Sequence, residues 1–87
     1  LYPIGSSPNY VTPQGEVSDI VLILQAILNS LRTWYDYEHI PPSGIYERKT
    51  ADAVRLFQSA NSLPMTGSAD RETWQRLVRE YNSAYGE

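Results

Sequence analysis

One short pattern is written twice in this chain. Gly44-x5-Thr50-x3-Val54 returns as Gly67-x5-Thr73-x3-Leu77, 23 residues on (44 to 67). A second echo sets Val21-x-x-Leu24-Gln25 against Val54-x-x-Phe57-Gln58, 33 residues on (21 to 54). A glycine that ends a loop, followed by threonine in the first turn of a helix, is a way of starting helices. Small helical proteins reuse such grammar in general. The reading favoured here is narrower: one helix-start unit, used twice, packed around one core.

Apolar spacing says where the helices run. Over 18–33, apolar residues fall at 20, 21, 24, 27, 28 and 31, which is helical periodicity. Ser18 serves as N-cap, Asp19 sits at the positive end of the dipole, and Val17 with Leu22 is placed to form a hydrophobic staple. Leu22 and Ile23 widen the stripe almost to a full circle, predicting a central helix touched on several sides. A second helix spans 48–61 and buries Ala51, Val54, Phe57 and Ala60, with Ser62-Leu63-Pro64 as its stop and Met65-Thr66-Gly67 as a turn. A third spans 70–84, capped by Asp70, with Trp74, Leu77, Val78 and Tyr81 on one face and Glu72, Arg76 and Glu80 on a wet face. Pro41-Pro42 and Ser43-Gly44 make 35–47 a loop. No segment alternates with period two, so the fold class is all-α.

At 87 residues the chain makes one domain, with a modest core and no room for a deep cavity. The expected architecture is a compact three-helix bundle over 18–87 with an internal helix-start repeat. Val21, Leu24, Leu28, Val54, Phe57, Trp74 and Leu77 form its core. An extended N-terminal arm, 1–17, precedes it, because Pro3, Pro8, Pro13, Gly5 and Gly15 bar a regular helix. Tyr2, Ile4, Tyr10 and Val11 are apolar enough to lay the arm against the domain in part, with 5–9 more mobile. The start at Leu1 reads as a piece of a longer or processed protein.

Composition excludes several chemistries. There is no cysteine, hence no disulfide scaffold, thiolate zinc site, iron–sulfur cluster or cysteine nucleophile. His39 is the single histidine; beside Glu38 and near Asp36 it offers one imidazole and two loop carboxylates, too few for a specific zinc site. No metal and no cofactor are expected. A carboxylate pair for glycoside hydrolysis, drawn from Asp36, Glu38 and Glu47, would need a cleft that a bundle of this size does not supply, so the domain is not expected to be an enzyme. Seven basic against ten acidic residues give a net charge of −3, without the basic excess of a nucleic-acid module. A helix-turn-helix reading of 50–80 would set Arg71, Arg76 and Arg79 among Asp70, Glu72 and Glu80, so no nucleic acid is expected as partner. No membrane is expected either: the longest apolar run, residues 20–24, is five long, far short of the ~20 a span requires.

Five pieces in order carry a family resemblance: Val21-x-x-Leu24-Gln25-x-x-Leu28, Ser43-Gly44-Ile45-Tyr46, Thr50-x-x-Ala53-Val54-x-x-Phe57-Gln58, Leu63-Pro64-x-Thr66-Gly67 and Asp70-x-x-Thr73-Trp74-x-x-Leu77. From about residue 15 to 78 the chain resembles the peptidoglycan-binding type 1 family. Tyr2-Pro3-Ile4-Gly5 is similar to the arm that precedes the domain in some Gram-positive members. The resemblance implies a three-helix module that attaches cell-wall hydrolases and related surface or spore proteins to peptidoglycan. Its ligand would be the glycan strand, the stem peptide or both, and its place extracytoplasmic, in a cell wall or spore envelope. The isolated domain is expected to be a monomer. Two positions depart from the family pattern. Ser43 stands where Asp is common before the loop glycine, and Glu47-Arg48 where Gly-Pro is common after the aromatic. The competing functional class is a protein–protein docking module of a surface or spore protein, with exposed aromatics as its patch.

Gln25 and Gln58 occupy matching places, and each amide is read as bonding loop backbone rather than sugar. Thr50 and Thr73 suit the same work, and Trp74 suits the core, its indole N–H needing a partner. Trp34, Tyr35, Tyr37 and Tyr46 fall within thirteen residues (34 to 46). Either they offer faces to sugar rings, or Trp34 and Tyr35 close the first helix. Arg48 and Lys49 follow as partners for stem-peptide carboxylates, or as a solvated helix start. The expected site is the 37–46 loop, the 48–50 helix start and the turn into the third helix. Its residues are Tyr37, Tyr46, Arg48, Lys49, Thr50 and Asp70.

Overall fold

Ser18 starts the first helix as its sequence position predicts. Its backbone is extended, and its Oγ accepts from the Val21 N–H at 3.4 Å while donating to Glu16 Oε2 at 2.7 Å. The computed structural model describes residues 11–85, with α1 at Asp19–Ser30, α2 at Arg48–Ala60 and α3 at Arg71–Tyr85. α1 tightens into a 3-10 turn at Leu31–Thr33, and it packs against both other helices. Val21, Leu24, Leu28, Val54, Phe57, Trp74 and Leu77 are all fully buried, so the expected core is the observed one. Leu31, Ile40 and Tyr46 complete it.

The end of α2 explains the stop at Ser62-Leu63-Pro64. Ser62 adopts the left-handed region (φ 60°), its N–H donates to Ser59 O at 3.2 Å, and the Leu63 N–H donates to Gln58 O at 2.8 Å. This is the Schellman arrangement, with serine in glycine's usual place. Asp70 caps α3, accepting from the Thr73 N–H at 2.9 Å.

The fold is all-α as expected apart from one short ladder, but three expectations need correction. Ala60, expected on the buried face of α2, is exposed at the helix's last residue. Val17 is 70% exposed and Leu22 37%, so no staple closes over α1; Val17 instead pairs by backbone with Ile45 in an isolated bridge. Arg76 and Glu80 are half-buried. Arg76 Nη1 donates to Asn61 Oδ1 at 3.1 Å, and Glu80 accepts from the Tyr35 hydroxyl at 2.7 Å. Arg76 thus leans on the end of α2 and Glu80 on the loop after α1, while Glu72 is exposed as expected. Two strands also exist, β1 at Val11–Thr12 and β2 at Ala69–Asp70, antiparallel with Val11 opposite Asp70 and Thr12 opposite Ala69. Strands of two residues are too short to show as alternation.

The arm therefore docks, but through an unexpected residue. Val11 is 46% exposed, whereas Thr12 is buried and its Oγ1 accepts the Trp74 indole N–H at 3.0 Å. The expectations for Tyr2, Ile4, Tyr10 and the 5–9 stretch lie outside the described residues. No helix among those described is long and apolar enough to cross a membrane.

Candidate functional site

Two glutamine clamps shape the loops. Gln25 Oε1 accepts the Gly44 N–H at 3.0 Å, and its Nε2 donates to Ile45 O at 3.0 Å and Thr50 Oγ1 at 3.1 Å. Gln58 repeats this: Oε1 accepts the Gly67 N–H at 3.1 Å, and Nε2 donates to Ser68 O and Thr73 Oγ1, both at 3.0 Å. Each amide thus serves the loop glycine, the carbonyl one residue on and the threonine six residues on. The two echoes in the sequence are one three-dimensional device, used twice. Both glycines need it, since they hold φ of +77° and +80° in the region L side chains avoid. Their N–H groups are occupied by the clamps and do not face a ligand.

Tyr46 joins the two units. It is only 2% exposed, and its hydroxyl donates to Gly67 O at 2.7 Å, which ties the first glycine turn to the second. The expectation that Tyr46 offers a sugar-facing ring is overturned by this burial. Thr50, 1% exposed and taken by Gln25, is likewise closed to ligand. Asp70 is spent on capping Thr73 and lies on β2, apart from the groove described next.

Tyr37, Arg48 and Lys49 are brought together. They line a groove of about 410 Å³ with Asp36, Glu38, Asp52, Ala53 and Leu56. The Tyr37 hydroxyl donates to Leu28 O at 2.6 Å and its carbonyl accepts from Arg32 Nε at 3.2 Å, so the tyrosine is a fixed wall. Tyr35 stacks on it at 6.1 Å and 14° and leans on Phe57 at 5.1 Å. Farther along the loop, Asn29 grips Ile40 by both backbone groups, at 2.8 and 2.9 Å. Burial pushes the phenols of Tyr37 and Tyr46 well above the usual tyrosine range, so both stay neutral hydrogen-bond donors.

The groove's two cations are paired loosely, although Asp52 is also held by Arg55 Nη1 at 3.0 Å. Lys49 Nζ lies 3.6 Å from Glu38 Oε1, and Arg48 Nε 3.7 Å from Asp52 Oδ2, with the Arg48 side chain 92% exposed. Such exposed pairs are worth ~0–1 kcal/mol, so an incoming charged ligand can exchange them at little cost. Asp52 and Leu56 were not foreseen as lining residues. Their spacing from Arg48, four and eight residues along α2, is the signal that puts them on one helix face. Among the described residues no group of histidine and carboxylate side chains is placed to hold a metal ion.

No curated protein and no solved structure gives a significant match to the chain. The sequence model of the peptidoglycan binding domain family matches residues 17–77, which takes in both clamps, α1, α2, the groove and α3 as far as Leu77. With most of its length matched, the chain belongs to the peptidoglycan-binding domain family, a family of cell-wall binding domains.

Proposed function

We propose that the domain is a non-catalytic module that attaches its parent protein, a cell-wall hydrolase or a surface or spore protein, to peptidoglycan in a cell wall or spore envelope. We further assign the stem peptide to the Tyr37–Arg48–Lys49 groove. One observation carries this: within a peptidoglycan-binding fold, the groove gathers two exposed cations and three carboxylates whose mutual pairs are weak. Stem peptides present charged groups of both signs, and each can replace one partner of such a pair. Peptidoglycan repeats the same groups along an insoluble mesh, so a tethered module needs only modest affinity of its own.

Cosedimentation of the chain with purified sacculi is the test. Arg48→Ala combined with Lys49→Ala should weaken binding about tenfold or more, equivalent to ~1.4 kcal/mol, with the melting temperature nearly unchanged. Binding that survives the double substitution moves the site elsewhere. Failure of the unsubstituted chain to sediment with sacculi defeats the attachment reading. Release of reducing sugar or free amino groups by the domain alone would defeat its non-catalytic part.

A further inference from the structure

A second groove, of about 390 Å³, opens where α1 and α3 end, lined by Leu31, Trp34, Arg79, Glu80, Ser83 and Ala84. We infer that it is a carbohydrate subsite in which the indole face of Trp34 carries a sugar ring of the glycan strand. This rests on the reading that the domain binds peptidoglycan, and it gives the glycan a place separate from the peptide.

The two tryptophans differ sharply. Trp74 is fully buried, while Trp34 is 57% exposed. Leaving that much indole in water forgoes burial of the largest apolar side chain available. Yet Trp34 is held in place. Its backbone N–H donates to Leu31 O at 2.9 Å, and its ring meets Tyr85 edge-on at 6.0 Å and 69°. The Tyr85 hydroxyl in turn donates to Ser30 O at 2.6 Å. A flat aromatic surface fixed in advance loses little freedom on binding.

The rim has the polar groups a sugar needs. Glu80 Oε1 takes the Tyr35 hydroxyl, and its second oxygen has no partner among the described residues. Arg79 is exposed and also has no partner among them. A carboxylate to accept and a guanidinium to donate, beside an aromatic face, match the hydroxyl rim and C–H face of a pyranose ring.

The two grooves draw on neighbouring residues of one loop. Trp34 lines one, and Asp36, Tyr37 and Glu38 line the other. Tyr35 connects them by bonding Glu80 and stacking on Tyr37. Four residues of chain, 34 to 38, separate the grooves by at most about 14 Å even if fully extended. A glycan strand with a charged peptide branching from it fits that layout, with the sugar on Trp34 and the peptide against Arg48 and Lys49.

Because Trp74 is sealed, a change in tryptophan emission on ligand addition reports Trp34. Peptide-free glycan strands, titrated into the full chain, should shift or quench that emission saturably. Trp34→Ala should remove the response and weaken glycan-strand binding about tenfold or more, with binding of free stem peptide unchanged. Trp34→Leu keeps apolar bulk without a flat ring and should lose as much. Near-ultraviolet circular dichroism from Trp74 confirms that both variants are folded. Emission unchanged by glycan strands, or wild-type affinity in Trp34→Leu, overturns the subsite. If sacculi still bind the unsubstituted chain in that case, the attachment reading stands without it. If sacculi do not bind, both fall together.

Discussion

Gln58→Met keeps the length and bulk of the side chain and removes only its hydrogen bonds. Gln58 is fully buried, and four of its contacts change. The Gly67 N–H loses its acceptor, and a buried orphan donor costs ~1–3 kcal/mol. Ser68 O loses Nε2 but keeps the Thr66 hydroxyl at 3.1 Å, and Thr73 Oγ1 and Thr66 Oγ1 each lose a donor; together these add ~0.5–1.5 kcal/mol. The total is about 1.5–4.5 kcal/mol, a large share of the ~4–13 kcal/mol expected for a domain of this size. Gln25→Met should cost the same within about 1 kcal/mol, because Gly44 is orphaned alike and Ile45 O likewise keeps a second donor, the Glu47 N–H at 3.0 Å. Gln58→Glu separates bonding from packing. Its carboxylate can accept from Gly67 but has nothing to give Ser68 O or Thr73, so burial raises its pKa above the ordinary ~4.3. A folded-state pKa raised in this way gives stability that is full below about pH 4 and is lost as pH rises through the raised value. Urea denaturation at several pH values measures all three variants. A loss below about 1 kcal/mol in Gln58→Met, or a Glu variant that tracks the wild type at every pH, would refute the clamp argument.

Alkali should unfold the domain through its buried phenols. Tyr37 and Tyr46 have pKa values raised by burial from about 10. Their stabilisation is complete below that pH and falls above it by ~1.4 kcal/mol per pH unit for each tyrosine. Tyr46→Phe should flatten this slope in urea titrations run above pH 10, while costing about 1 kcal/mol at neutral pH for the lost bond to Gly67 O. Gly67→Ala should cost about 1–2 kcal/mol from its left-handed backbone. Its Cβ would also meet Arg55 Nε at 2.9 Å and displace that guanidinium; a melting curve identical to wild type would contradict this. Thr12→Val orphans the Trp74 indole N–H and should cost ~1–3 kcal/mol, with a changed near-ultraviolet signal from Trp74; an unaltered signal would place the indole's partner elsewhere.

The helices were legible because their signals are local. Ser18 and Asp70 announce starts, and apolar spacing along 18–33, 48–61 and 70–84 announces buried faces, all within a few turns of chain. The glutamine clamps were legible because the repeat set Gln25 against Gln58 and Thr50 against Thr73. Tyr46 was misread, although the same repeat held the correction. Shifted by 23 residues it falls on Ala69, and both positions, two beyond a loop glycine, point inward at 2% and 0% exposure. As one tyrosine of an aromatic loop, Tyr46 looked like surface. As the second residue after a clamped glycine, it has to face the core. The groove could be read only in part. Tyr37, Arg48 and Lys49 were visible as aromatic and charged residues near one helix start. Their company with Asp36 and Asp52, and the separate groove under Trp34, depends on how the 34–38 loop crosses α2 and α3.

The link from Thr12 to Trp74 has a mechanical meaning. A pull applied at Val11 meets the two-residue ladder to Ala69–Asp70 and the Thr12 bond to the indole. Behind them the Gly15 and Glu16 bonds to Tyr46 and the Val17–Ile45 bridge hold the chain before tension reaches α1. The ladder and indole bond therefore act as a mechanical fuse. Under load the segment from Val11 peels first, while the clamps at Gln25 and Gln58, which lie deeper along the load path, keep both grooves in shape.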